Sequence, residues 1–357
     1  MSTQPGQNSS RNRLHIAVDA MGGDAGPEVT IPGVALFLDQ AADDVDISLF
    51  GDKTQIQPHM ASLQAQAHRV TVHHTAETVA MDEKPAQAIR RRETSMALAI
   101  KAVKEKTAAV AVSAGNTGAL MAVAKLGLRT MPGIDRPAIC ASWPSPEGMG
   151  AVLDVGANVE CSAEQLVEFA IMGEAFHRAV HGKAKPTVGL LNIGTEDVKG
   201  HDEIKRAAKL IRDCGLDMDF RGFVEGDGIS LGHTDVIVTD GFTGNVALKT
   251  AEGAARLIAH YVREAYSESV ASKMAAVASM GVLKRIKERL DPSRVNGGVF
   301  LGLNGVVVKS HGGTDAKGFA AALTVANQMA HSQFADEIAK NLNRLEDVRG
   351  LPTESVM

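Results

Sequence analysis

AAVAVSAGNTGALMAVAKLGL, residues 108–128, passes from a nearly continuous apolar run through a turn of small and polar residues into a stretch with apolar positions at helical spacing. A run of that kind, closed by a Gly-Asn turn, reads as a strand buried on both faces, and the segment after it as a helix laid back on the sheet. Strand, turn and helix in that order are the repeating part of a parallel βαβ unit. The same rhythm spreads outward in both directions. Candidate strands are LHIAVD (14–19), DISLF (46–50), RVTVH (69–73), AICAS (138–142), GAVLDV (150–155), TVGLLNI (187–193), DVIVTD (235–240) and GVVVKS (305–310). Candidate helices cover 27–40, 84–105, 117–128, 162–180, 201–213, 244–268 and 316–342. No connection is long enough to divide the chain. Residues 14–357 are therefore expected to form one two-lobed α/β body around a doubly wound, mostly parallel sheet, behind a disordered polar tail at 1–13.

Composition narrows the function classes. The 37 basic and 42 acidic residues leave a net charge of −5, which argues against nucleic acid as a partner. Aromatics make up only 4%, too few for base-stacking platforms, whereas 35 glycines favour sites built from backbone. Cys140, Cys161 and Cys214 are widely spaced and form no C-x-x-C, so neither a disulfide framework nor a zinc knuckle is expected. No run of 18 apolar residues occurs and the first residues lack the apolar core of a secretory signal, which points to a cytosolic chain.

The stretch 244–290 breaks the βα rhythm: it favours helix throughout, is interrupted near Ser279-Met280-Gly281, and predicts a projecting helical hairpin. Met280, Val282 and Leu283 stand beside Lys284 and Arg285, so apolar and basic faces coincide. That pattern suits a membrane or an acidic partner, and equally a packed hairpin or a dimer contact.

The candidate chemistry lies where predicted strands open into helices: DAMGGDAGPE (19–28), SAGNTGAL (113–120), DVGANVECS (154–162), NIGTEDVKGHDE (192–203), TDGFTGNVAL (239–248) and KSHGGTDAKG (309–318). Gly-rich turns let a ligand approach the backbone, and the N–H groups of a following helix favour an anion. None is a Walker loop or a dinucleotide fingerprint, and no nucleophile elbow or H-E-x-x-H zinc pair occurs. Side chains suited to phosphate sit inside the loops: Ser113, Asn116, Thr117, Thr243 and Asn245 as donors, with Lys199, Lys309 and His311 as catalytic candidates. Asp154, Asn158 and Asp240 are expected to orient loops; with Asp19 and Asp24 they include carboxylates at strand ends, where helix capping is the preferred reading over metal binding. Arg90, Arg91 and Arg92, read as part of a helix, are candidates for docking an acidic partner. A phosphate or phosphate-like site, with no cofactor and no metal, is the inference from these residues.

IAVDAMGGD (16–24), SAGNTGALM (113–121), GIDRPAI (133–139), LDVGANV (153–159), VGLLNIGTEDVKG (188–200), VIVTDGFTGNVALKT (236–250) and KSHGGTD (309–315) follow one another in the order of the bacterial phosphate acyltransferases of phospholipid synthesis, and from about 14 to 335 the chain resembles that family. The resemblance implies a Rossmann-like three-layer fold akin to phosphotransacetylases and the isocitrate dehydrogenase group. It implies transfer of a long-chain acyl group from acyl carrier protein to inorganic phosphate, whose product a downstream glycerol-3-phosphate acyltransferase consumes. It further implies a homodimer with its site near the subunit interface and peripheral contact of the 244–290 hairpin with the inner face of the cell membrane. DPSRVNGG (291–298) departs from the family pattern.

For the reaction, phosphate is expected between the 113–118 and 240–245 loops, with Lys199 first in line to counter charge, and Lys309 and His311 as oxyanion donors or as the acid for the departing thiolate. Competing readings are a phosphotransacetylase acting on short acyl-CoA, a β-decarboxylating nicotinamide dehydrogenase, and a membrane-surface scaffold without catalysis.

Overall fold

The computed structural model describes residues 13–290, 296–332 and 334–349. Most of the expected tail and part of the 291–298 stretch lie outside the described residues.

Among the described residues eleven strands make one sheet: β1 Leu14–Asp19, β2 Val45–Gly51, β3 Val70–His74, β4 Val110–Ser113, β5 Ala138–Ser145, β6 Gly148–Leu153, β7 Thr187–Leu191, β8 Asp219–Val224, β9 Val236–Val238, β10 Gly298–Leu301 and β11 Val306–Lys309. Their order is β3-β2-β1-β4-β11-β10-β5-β6-β9-β7-β8. The fold is the doubly wound α/β class, with helices on both faces of a mostly parallel sheet. β8 and β10 escape the sequence pattern. The first, DFRGFV, is interrupted by Arg221 and by Gly222 at φ +82°, and the second is four residues long.

Polarity reverses across the middle. β10 is antiparallel to β11 and β5, and β5 is antiparallel to β6. The C-terminal ends of β1, β4 and β11 therefore lie at one sheet edge, and those of β6, β9 and β7 at the other. One row of paired residues, Val308, Val299, Cys140, Leu153 and Val238, runs across this junction. Lys309 is one step past that row towards the first edge, and Asp240 two steps past it towards the second.

Strand alternation divides the core into two layers. Ile16, Val18, Val112, Cys140, Leu153 and Val308 face one layer, packed by the helices Pro27–Leu38, Ala163–His181, Asp202–Asp213 and Ala316–His331. Ala17, Ala111, Ile139, Val152, Phe300 and Val307 face the other, with Ser95–Lys104 and Thr117–Leu128. The helix expected over 84–105 is two pieces, Pro85–Ala88 and Ser95–Lys104, because Thr94 caps the second through a bond from the Ala97 N–H. Arg90–Arg92 consequently lie outside a helix, and Arg91 is held by the Thr78 carbonyl and Glu83.

Helix Gly241–Ser267 follows β9, leaves the body, and is succeeded by Val270–Ala278 and Met280–Leu290, with Ser279 at the break donating to the Tyr266 hydroxyl. Val270, Met274, Val277, Met280 and Val282 are exposed on it, as are Lys284 and Arg285, while Leu283 is half-buried. Among the described residues no helix is long and apolar enough to cross a membrane.

Candidate active site

At the first edge, β1, β4 and β11 lie side by side, with Asp19 paired to Ser113 and Ser113 to Lys309 in register. Their three loops interlock. The Asp24 N–H donates to the Gly312 carbonyl at 3.0 Å, and a Cβ on Gly22 would stand 2.7 Å from the Gly115 nitrogen, so only glycine permits this approach. Buried Asp19 accepts from Ser113 Oγ at 2.7 Å, and Ser113 Oγ accepts from the Gly115 N–H. Burial raises the Asp19 pKa, against hydrogen bonds from Ser95 and Ser113. Ser113 is thus enclosed as a brace.

Asn116 is committed as well. Its Oδ1 caps Thr117–Leu128 through the Ala119 N–H, and its Nδ2 donates to the Met81 and Glu83 carbonyls. Thr117 remains exposed at the first helical position.

Lys309 closes the cluster. Its Nζ donates to the Ala114 and Ser310 carbonyls, and burial lowers its pKa to about 8 in spite of Asp19 and Asp24. The backbone of His311 donates to Asn296 Oδ1, and its Nδ1 accepts from the Gly313 N–H. With Nδ1 accepting, the neutral ring carries its proton on Nε2 as a donor. Partial burial lowers the His311 pKa, then the charge of Lys249; Glu252 acts in the other direction. Asn296 Nδ2 donates to Ser310, Thr314 and Gly318, so this one amide ties the whole KSHGGTD turn together. Sequence spacing does not reveal Asn296, because its partners are 14 to 22 residues away.

At the second edge, buried Asp154 accepts from the N–H groups of Ile139, Gly156, Ala157 and Asn158 and from Asn158 Nδ2. Burial raises its pKa while these five donors favour the anion. The Asn158 carbonyl accepts from the Gly241 N–H at 2.7 Å, which joins this turn to the next helix. Asp240 caps that helix and occupies both the N–H and the hydroxyl of Thr243. Asn245 is exposed beside Gly156, and Lys199 is exposed on the 194–200 turn, its carbonyl held by Asn192.

The structure thus does not bring the 113–118 and 240–245 loops into one nest. β4 and β9 are five strands apart, about 24 Å along the sheet, and end at opposite edges. Lys199, after β7, is likewise five strands from Lys309. What crosses the molecule is helix Gly241–Ser267. From the second edge it climbs about 12 Å in eight residues, Ala247, Leu248 and Ala251 packing on the core, and sets Lys249 where its charge acts on Lys309 and His311. Lys249 pairs with Glu252 at 3.0 Å. Nothing in TGNVALKT marks it, because its neighbours come from strands distant in sequence.

Basic groups beside glycine-rich turns lie on a doubly wound α/β sheet. Solved structures share the fold: a phosphotransacetylase from Streptococcus pyogenes has a TM-score of 0.61 at 14% identity, covering 89% of this chain and 94% of its own. A branched-chain phosphotransacylase from Enterococcus faecalis has a TM-score of 0.57 at 13% identity, covering 90% and 100%. The family model described as fatty acid synthesis protein matches residues 14–337. Phosphate acyltransferases of Caulobacter vibrioides and Maricaulis maris are 54% and 52% identical, covering 93% and 92% of this chain and 92% and 95% of their own. The chain belongs to the phosphate acyltransferase family, and it is an acyltransferase.

Proposed function

We propose that the protein transfers a long-chain fatty acyl group from acyl carrier protein to inorganic phosphate, at the cluster of Lys249, Lys309 and His311. What supports this reading is helix Gly241–Ser267, which starts at the second edge and carries Lys249 towards the first, where Lys309 is held by the Ala114 and Ser310 carbonyls. Three basic groups together favour a multiply charged anion, and backbone N–H groups of Gly-rich turns add donors.

In the reaction a phosphate oxygen attacks the thioester carbonyl carbon. The new C–O bond forms, the C–S bond breaks, and the thiolate takes a proton. Lys249 offsets the phosphate charge, and the Nε2–H of His311 donates to the oxyanion as it develops. Lys309, with a pKa of about 8, is mostly an ammonium at neutral pH yet close enough to a thiol's 8.5 to hand over a proton. Asp154, Asn158, Asp240, Ser113 and Asn116 hold the turns. Lys199 joins the cluster when supplied by a second copy of the chain, which is the part of this reading that needs a homodimer. Peripheral attachment to the inner face of the membrane, through Met280, Val282, Lys284 and Arg285, completes the reading, together with a downstream glycerol-3-phosphate acyltransferase that takes up the acyl phosphate.

The test is incubation of the purified protein with long-chain acyl carrier protein, with and without inorganic phosphate, trapping the acyl product for mass spectrometry. Acyl phosphate is expected only when enzyme and phosphate are both present. Product from acetyl-CoA but not from the carrier thioester would replace this reading with the short-chain phosphotransacetylase.

A further inference from the structure

Asp19, Ser113 and Lys309 end the neighbouring parallel strands β1, β4 and β11 and are paired in register. Registered residues of parallel strands point to one face, here that of the second core layer, which Ala17, Ala111 and Val307 enter two residues earlier. The three side chains therefore form a row, with Asp19 and Lys309 two strand spacings, about 10 Å, apart and Ser113 between them. The Asp19 end of the row is closed to water. Asp19 and Ser113 are each 2% exposed, and a Cβ at Gly22 would stand 2.8 Å from Asp19 Oδ2 and 3.1 Å from Ser113 Oγ. Ser113 Oγ donates to Asp19 Oδ2, whereas Asp19 Oδ1 is buried with no hydrogen-bond partner.

A buried carboxylate is costly unless a cation balances it. Ser95, on the first turn of helix Ser95–Lys104, and the N–H groups of Met21 and Gly22 favour the anion only as dipoles. Lys309, half-buried and held by the Ala114 and Ser310 carbonyls, is the cation of the row. We infer that Asp19 is a positioning residue for acyl transfer: its carboxylate, fixed by Ser113, keeps Lys309 charged until the departing thiolate takes the proton. Asp24, on the loop after β1, acts on Lys309 in the same direction, and Lys249 acts against it. His311, on the Lys309 turn, has a lowered pKa and adds little positive charge at neutral pH. The inference rests on the acyl-transfer reading above and gives its proton donor a counter-ion.

The experiment uses the full chain with hexadecanoyl acyl carrier protein and inorganic phosphate, and follows acyl phosphate by mass spectrometry from pH 6 to pH 9. At an effective dielectric constant of about 20, a unit charge about 10 Å away moves a pKa by about one unit. Asp19→Asn is therefore expected to move the upper limb of kcat from about pH 8 to about pH 7. The ratio of variant to wild-type kcat then falls about eightfold from pH 6 to pH 9. Ser113→Ala, which keeps the charge but frees it, moves the limb the same way by less, and serves if circular dichroism shows Asp19→Asn unfolded. A purely structural role lowers kcat by one factor at every pH, and a constant ratio in a folded variant overturns the inference. No acyl phosphate from wild type overturns the acyl-transfer reading and this inference with it. An active wild type with no upper limb near pH 8 removes Lys309 as the donor, and the inference with it; a wild-type limb that the variants leave in place overturns this inference alone.

Discussion

Lys309 shows how burial prepares a residue for chemistry. Its ammonium is held by two carbonyls and lowered to about 8 by desolvation, within reach of a proton transfer at neutral pH. Lys309→Ala is expected to cut turnover about 100-fold with the melting temperature little changed, measured by steady-state assay and calorimetry. On the proposed role of its protonated form as donor, wild-type turnover should fall as pH rises past about 8. Lys309→Arg, whose guanidinium stays protonated and hands over no proton in this range, should turn over slowly and without that upper limb. A second titration concerns stability. His177 and His181 stack edge to face at 4.9 Å, and burial lowers both, His181 to about 4. A base whose folded pKa lies below its unfolded value of 6.5 takes up protons preferentially when unfolded, so its stabilisation is present above pH 6.5 and lost as pH falls towards 4. Allowing for partial exposure, this should cost about 2 kcal/mol, read as a falling melting temperature between pH 6.5 and 4.5 that His181→Gln flattens.

Among elements, helix Gly241–Ser267 depends most on one contact. A Cβ at Gly244 would run into the Asp154 carbonyl oxygen, so Gly244→Ala must push the helix off the 154–158 turn. Asp240→Ala removes only its cap. The expected losses are about 3 kcal/mol or more for the first and about 1 kcal/mol for the second, in urea unfolding. The sheet strands of SAGNTGAL and TDGFTGNVAL were legible because apolar runs ending in glycine-rich turns are local signals. Capping was legible in kind, since Asp240 and Asn116 sit at strand-to-helix junctions, but Asn116 looks like a ligand donor in sequence and is spent on a cap and two carbonyls. Lys249 and Asn296 were not legible. The importance of each depends on which distant turn lies beside it, and periodicity carries no such information.

For the whole molecule, the reversed polarity at β10 and β5 explains why the six Gly-rich loops do not form one crevice. They form two sets, and helix Gly241–Ser267 starts at one and runs towards the other. Lys199, with exposed Ile193 and Val198 around it, belongs to the set away from Lys309. A homodimer that shares its site predicts complementation. Lys199→Ala and Lys309→Ala proteins, each nearly inactive, should regain about a quarter of wild-type activity after subunit exchange, since half the dimers are mixed and each has one intact site. No recovery in verified mixed dimers would confine the site to one chain.

The most direct test of the central claim, that Lys249 completes a phosphate site with Lys309 and His311, is the phosphate dependence of acyl phosphate formation by wild type and Lys249→Met. Loss of this cation should raise the KM for phosphate about tenfold or more while circular dichroism stays unchanged. A phosphate saturation curve identical to that of wild type would contradict the account.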